Sequence, residues 1–342
     1  MEEFKSSGYD SIDTQVYSSF ITSFEKTNFF QSYPYAKLNK EVLNYEPYII
    51  LLKENGKIKA SLLIFKGFIP SFFMNGFLEE IALSLSKTIV PTLSWLDGPV
   101  SEIDSETHFF DLLDAYATKN SFLIKGAKLP FWIGQETLRY LTEKEYLIKE
   151  NYTLTINLNK SIEEAKSALT KKGKKAIREA NEKGVVVRLA NSQQDIQNYY
   201  NLVLKHRNKL GFKTPSYEKF LKQWKILHDE FSCMDVFMAY LEEKLIASLG
   251  VIYYNGNAIE VMSGQSETNY RENLFAGDLI KWKIIEWGIE KGLRTYDLGG
   301  VNPNPTTEKE KSILQFKSKW GGELVKRYSI SKNYTGIPFL GR

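Results

Sequence analysis

The chain has 342 residues, too many for one compact domain of ordinary size, and its 43% apolar and 25% charged residues are ordinary globular values. A net charge of +4 does not by itself imply nucleic-acid binding, while 20 Tyr, 21 Phe and 6 Trp suggest much packed area and stacking surface. The single cysteine, Cys233, excludes an intrachain disulfide framework, and His108, His206 and His228 lack metal-ligand spacing, which argues against a zinc enzyme.

The opening Met1-Glu2-Glu3-Phe4-Lys5-Ser6 has neither the basic start nor the apolar run of a signal peptide. No apolar stretch approaches the ~20 residues of a bilayer span, so a soluble, cytoplasmic protein is expected. Residues 1–45 show short helical patterns and carry Gln31-Ser32-Tyr33-Pro34-Tyr35. Two β-rich runs, 48–52 and 58–65, flank Asn55-Gly56, a strong hairpin signal because both residues tolerate positive φ. A helix is expected over 78–86, then a strand from Thr92 halted by Gly98-Pro99, a helix over 109–118 and a strand over 122–125. No clear period marks 131–141, and 152–158 alternates as a strand.

Asn159 or Ser161 caps a helix running to Lys183, where Gly184 stops it; acids sit in its first turn, and Gly173 inside it costs roughly 1 kcal/mol against alanine, inviting a kink or break. A strand over 185–189, a helix over 193–210 bearing His206 and Arg207, and a helix over 217–228 follow. Strands over 235–241, 245–254 and 258–262 come next, with a turn at Asn255-Gly256, and then an apolar-periodic helix from about 275 to 291. His206 and Cys233 read as structural.

Lys57-Ile58-Lys59-Ala60-Ser61-Leu62 matches Lys244-Leu245-Ile246-Ala247-Ser248-Leu249, each in the second arm of a meander followed by a strand, a helix and a strand. Two copies of one unit explain the length better than two unrelated domains. The expected boundaries are 1–150 and 151–323, with 324–342 returning to the first unit. The chain is organised around Tyr296-Asp297-Leu298-Gly299-Gly300, a loop holding Pro303 and Pro305, and Phe316-Lys317-Ser318-Lys319-Trp320-Gly321-Gly322-Glu323. A strand ending in an acid and two glycines reads either as the entry to a site or as a plain turn.

These last two elements resemble the Tyr-Asp-x-Gly-Gly and Phe-Lys-x-Gly-Phe-Gly elements of the FemABX family, tRNA-dependent aminoacyltransferases built from two GNAT-like lobes. Lys175-Ala176-Ile177-Arg178 with Gly184, Gln31-Ser32 with Tyr35, and Ala276 with Leu279 and Trp282 are similar to it in the family's order. The resemblance implies an α+β fold of two tandem GNAT-like lobes, each a mixed, mostly antiparallel sheet flanked by helices. It is to the compact members, since no coiled-coil arm interrupts the second lobe. Trp320 stands where Phe is usual, and 301–311 aligns with no pattern, which leaves acceptor choice open.

The implied reaction is attack of an amine on an activated ester without a covalent enzyme intermediate, and it agrees with a sequence offering no Ser/His/Asp or Cys/His arrangement. By resemblance Lys317 stands at the reacting centre, where positive charge would meet the developing oxyanion; a solvated lysine is the other reading. Phe316 flanks the site or fills core. Asp297 orients the amine or takes its proton, or else caps the following turn. Lys37 and Arg207 resemble positions that hold acceptor phosphates, Lys40 being as close as Lys37, and Tyr254, Tyr296, Gly299 and Gly300 complete the expected substrate-binding set. Lys171, Lys172, Lys174, Lys175 and Arg178 form either a tRNA contact or a solvated face.

The expected partners are aminoacyl-tRNA and a nucleotide- or lipid-linked peptide precursor, the latter bringing contact at a membrane surface; a monomer is expected and no cofactor or metal. The alternative donor is acyl-CoA. GNAT enzymes usually cradle its pyrophosphate with Arg/Gln-x-x-Gly-x-Gly/Ala, and Arg271-Glu272-Asn273-Leu274-Phe275-Ala276 has Leu at the fourth place, which disfavours CoA. A non-catalytic binding module is the third reading.

Overall fold

The computed structural model describes residues 2–67, 91–102 and 106–336; the helix expected over 78–86 lies outside them. The chain forms two units, Met1–Asn151 with Lys326–Arg342, and Tyr152–Val325. No described helix is long and apolar enough to cross a membrane.

The first unit runs β1 (Glu2–Gly8), α1 (Thr14–Thr22), α2 (Tyr33–Glu41), β2 (Glu46–Glu54), β3 (Lys57–Lys66), β4 (Thr92–Ser94), β5 (Val100–Ser101), α3 (Glu106–Lys119), β6 (Leu123–Lys128) and α4 (Gln135–Glu143), and β7 (Leu147–Asn157) leads out of it. Asn55 and Gly56 close the β2–β3 hairpin at φ 50 and 79, the positive values that pair was expected to supply. β1 was not expected, because Ser6-Ser7-Gly8 carries no strand pattern. It forms because its backbone pairs with β2 from Glu2↔Glu54 to Gly8↔Tyr48 while Phe4 packs on Phe109 at 5.7 Å. The sheet order is β1-β2-β3-β4-β6, with β5 also on β3. Its core holds Ile50, Leu62, Trp95, Phe109, Phe110 and Ile124.

The second unit continues with α5 (Ile162–Ala168), α6 (Lys171–Glu182), β8 (Val185–Leu189), α7 (Gln193–Lys209), α8 (Tyr217–Trp224), β9 (Met234–Leu241), β10 (Lys244–Tyr254), β11 (Asn257–Gln265), α9 (Glu267–Arg271), α10 (Ala276–Glu290), β12 (Thr295–Gly300) and α11 (Glu308–Lys317). The last strand, β13 (Glu323–Asn333), takes the chain back to the first unit, where Ser329 pairs with Lys128. The helix expected from 162 to 183 is two helices. The break falls before Gly173, at Leu169, which is extended with ψ 141, and at Thr170, which caps α6 through Gly173 N at 3.2 Å. The helix expected over 217–228 closes instead in a π-helical turn at Lys225–Glu230.

The sheet order here is β7-β12-β11-β10-β9-β8. β11 and β12 are parallel only from Asn257↔Thr295 to Ile259↔Asp297. Beyond that β11 stays with β10 as far as Ala247↔Gln265, and β12 stays with β7 as far as Gly300↔Thr153, so the two strands diverge into a fork. α10 covers the sheet with Leu279, Ile280, Trp282, Ile284 and Ile285, all buried. The repeated strands carry Ala60 and Ser61 in one unit and Ala247 and Ser248 in the other, all four buried.

Candidate active site

The closed end of the fork is built by β12. Tyr296 is fully buried, and its hydroxyl donates to Glu260 Oε1 at 2.7 Å. Asp297 accepts through Oδ1 from the Thr153 hydroxyl and from Gly299 N at 2.7 Å. One oxygen of this carboxylate therefore caps the following turn, which brings Gly299 to φ +80, a conformation that favours glycine. A bulge between Asp297 and Gly300 then turns the Gly300 carbonyl to Lys317 Nζ, 2.9 Å away.

Lys317 ends α11, and both ends of that helix are fixed. At the start a capping box joins Thr307 and Glu310, and Glu310 also receives Asn302 Nδ2 at 3.0 Å and Thr306 N at 3.0 Å, sewing the proline loop to the helix. These bonds, with Asn302 the largest cause, hold the Glu310 carboxyl down at about 2. After the helix Trp320 is buried at 1% exposure, and Gly321 turns the chain at φ +70. A Cβ on Gly321 would lie 2.8 Å from the Ala168 carbonyl oxygen, and one on Gly322 would lie 2.1 Å from Leu154 Cδ2. The Trp-Gly-Gly run is thus an anchor with two close approaches. It leaves Lys317 half-buried, and burial pushes its ammonium below the ordinary lysine value while Asp297 opposes the shift. Lys317 is thus a cation held in place on a strand-end carbonyl.

Phe316 is partly buried, 6.1 Å from Trp320 and under Lys319 Nζ at 5.0 Å, so it packs on the core and also borders Lys317. Lys319 binds Asp278 at 2.6 Å, and its carbonyl accepts from Thr170 N at 3.1 Å. Gly173 fits beneath that carbonyl, where a Cβ would come within 2.9 Å. The start of α6 therefore packs directly on the turn that follows Lys317. Of the basic residues on α6, Lys175 and Arg178 pair with Glu179 at 3.4 Å and Glu182 at 3.5 Å, and Lys174 donates to the Ser167 carbonyl at 3.0 Å. Lys171 and Lys172 are exposed.

Three further expected residues lie on other elements. Arg207 donates to the Lys213 carbonyl from Nε at 3.2 Å and Nη2 at 2.7 Å, which holds the loop after α7. Tyr254 ends β10 at the turn beside Asn257, which pairs with Thr295 at the opposite end of β12 from Gly300; burial raises its phenol to about 12. Lys37 belongs to the first unit, on α2, 3.7 Å from Glu41. Sequence reading missed Thr153, Glu260 and Lys281. Lys281 could have been noticed as the one charge in the apolar run Leu279-Ile280-Lys281-Trp282. Among the described residues no three His, Cys, Asp or Glu side chains gather to hold a metal.

The loop before α10 is closed on itself. The N–H groups of Asn273, Leu274 and Ala276 bond to Tyr270 O at 3.2 Å, Asn269 O at 3.0 Å and Asn269 Oδ1 at 3.0 Å. Leu274 is buried in the core, Lys183 Nζ binds the Glu272 and Asn273 carbonyls, and the buried Asp278 carboxylate lies in the first turn of the helix.

Residues 167–312 match the family model of the acetyltransferase (GNAT) domain. The chain is similar in structure to FemX, with TM-score 0.74 and 14% identity over 95% of this chain and 96% of that one. It is also similar to L-PGS from Bacillus licheniformis, with TM-score 0.58 and 12% identity over 95% and 93%, and to a tandem GNAT protein of the clavulanic acid biosynthesis pathway, with TM-score 0.56 and 11% identity over 98% and 99%. No curated protein matches in sequence. The fold is FemABX-like, with two tandem GNAT-like lobes.

Proposed function

From the premise that the chain is an acyltransferase of tandem GNAT-like fold, we propose that it moves an aminoacyl group from aminoacyl-tRNA to an amine of a nucleotide- or lipid-linked cell-wall peptide precursor. The observation that carries the choice of donor is the self-closed loop at the head of α10. A CoA pyrophosphate needs free backbone N–H groups and a positive helix end there. This chain spends the N–H groups of Asn273, Leu274 and Ala276 on its own oxygens and places the Asp278 carboxylate in the first turn.

In the reaction the neutral amine attacks the ester carbonyl, and a C–N bond forms as the carbonyl oxygen becomes an oxyanion. The C–O bond to the ribose then breaks, and the proton lost by nitrogen balances the leaving oxygen. Lys317 offsets the charge on whichever oxygen carries it, from a position fixed by the Gly300 carbonyl. Phe316 borders the reacting centre. Asp297 shapes the turn that presents that carbonyl, and in this reading it orients the amine or takes its proton. Lys171 and Lys172 receive donor phosphates, and the packing of α6 on the Lys319 turn brings a bound strand toward Lys317. Lys37, Arg207 and Tyr254 are assigned to the acceptor, whose lipid-linked form would bring the protein to a membrane surface. The protein acts as a monomer in the cytoplasm.

The test is incubation with a mixed pool of radiolabelled aminoacyl-tRNAs, or with labelled acetyl-CoA, each with candidate peptide amines. Label leaving the tRNA for the peptide is expected. Transfer from the thioester alone would overturn the reading in favour of an acyl-CoA enzyme.

A further inference from the structure

Lys281 is the feature that the proposed reaction does not use. It lies in the middle of α10 at 5% exposure, among Leu279, Ile280, Trp282, Ile284 and Ile285, where an apolar side chain would serve packing better. Its ammonium contacts Glu260 Oε1, the same oxygen that the Tyr296 hydroxyl reaches at 2.7 Å. Glu260 is the first residue of β11 past the last β11–β12 pair, Ile259↔Asp297, so the ion pair sits where the fork opens. The Lys281 Nζ is 5.7 Å from the Tyr296 ring centroid and 5.9 Å from that of Phe316, the residue before Lys317.

We propose that Lys281 and Glu260 are positioning residues for Lys317: a buried ion pair, held by the Tyr296 hydroxyl, fixes the Phe316 ring and sets the local field that keeps the Lys317 ammonium on the Gly300 carbonyl and facing the fork. The inference rests on the proposed role of Lys317. Asp297 of β12 acts directly on Lys317, Lys281 of α10 is in turn influenced by Lys317, and Glu260 of β11 contacts Lys281, with Lys319 and its partner Asp278 beyond Phe316; burial, and then Lys317, push the Lys281 ammonium well below the ordinary lysine value, so its charge depends on the Glu260 contact. Lys317 and Lys281 with Asp297 and Glu260 therefore make two positive and two negative groups near the closed end of the fork, with the Lys319–Asp278 pair beyond them. Removing either member of the pair leaves the other uncompensated and changes the potential at Lys317 in a direction set by the sign removed.

The experiment reads Lys317 directly and requires no substrate. Protein labelled with 13Cε-lysine is titrated by NMR, with the Lys317 signal assigned by its loss in Lys317→Arg. Lys281→Met should move the Lys317 titration upward, and Glu260→Gln should move it downward. The double variant, which replaces a buried ion pair by a neutral pair and guards against misfolding of either single one, should return it close to the wild-type value. A role in packing alone predicts a lower melting temperature with the Lys317 titration unmoved in all three, and that result overturns the proposal. If these shifts occur but no aminoacyl transfer is found, the pair stands and the donor assignment fails.

Discussion

The Lys317 ammonium lies 2.9 Å from the Gly300 carbonyl, joining the end of α11 to the end of β12. That contact unites two sequence elements, Tyr-Asp-Leu-Gly-Gly and Phe-Lys, that are separated by a proline-rich loop. Because burial pushes the Lys317 ammonium below the ordinary lysine value, with Asp297 opposing, the protonated form is lost earlier on the alkaline side than for a surface lysine. If the cation is the working form, the transfer rate should fall at a pH below the ordinary lysine value of 10.5. Lys317→Arg should remove that limb, since arginine keeps its proton throughout. A pH–rate profile checks both.

The paired glycines of β12 should respond differently to alanine. Gly299 has φ +80, so Gly299→Ala costs about 1–2 kcal/mol of backbone strain. Gly300 is not in that region, and a Cβ there would meet only Tyr152 O at 3.8 Å, so Gly300→Ala stays within about 0.5 kcal/mol of the wild type. Chemical denaturation of the two variants measures the difference.

Gly322→Ala places a methyl 2.1 Å from Leu154 Cδ2 and 3.1 Å from Thr155 O. Overpacking of this kind destabilises by about 1–3 kcal/mol. Because the Trp320 anchor fixes the end of α11, the rate of transfer should drop along with the melting temperature. A variant that melts like the wild type contradicts this account of the Trp-Gly-Gly run.

Glu310 stitches the loop after β12 to α11, and its carboxyl is held at about 2 by Asn302, Thr306 and Thr307. A carboxyl lowered in the folded state adds stability above its unfolded pKa and loses it as pH falls through the folded value. Protection of the Thr306 and Thr307 amides should therefore persist at neutral pH and decline from the ordinary carboxylate range down to about pH 2. Glu310→Gln should show the loss at neutral pH, by hydrogen exchange.

If α6 receives the donor, Lys171→Glu and Lys172→Glu should each weaken RNA binding and reduce the salt slope by about one. Lys175→Glu and Arg178→Glu should do less, since those side chains are engaged by Glu179 and Glu182. Fluorescence anisotropy with a labelled tRNA at several salt concentrations distinguishes the two pairs.

Much of the architecture was legible in the residues. Asn55-Gly56 set a hairpin, the Ala-Ser-Leu strands marked the repeat, and Tyr296-Asp297 with Phe316-Lys317 named the two elements that meet. The places that failed were those where tertiary contact outweighs local pattern. β1 forms by backbone pairing with β2, and the break before α6 occurs where Thr170 bonds to Lys319 rather than at Gly173. Lys281 stands out as a charge in an apolar run, but its pairing with Glu260, 21 positions away, could not be read, because nothing in a strand or helix period indicates that two buried charges will meet. Arg207 was marked by a family likeness in sequence, and its hold on the Lys213 carbonyl is a loop contact that no helix period foretells.

The most direct measurement is a single-turnover transfer with a labelled aminoacyl-tRNA and an accepting peptide, comparing the wild type with Lys317→Ala at equal tRNA occupancy. The account predicts a rate lower by about 10²–10³-fold with tRNA affinity and melting temperature retained. An alanine variant that transfers label at the wild-type rate would contradict it.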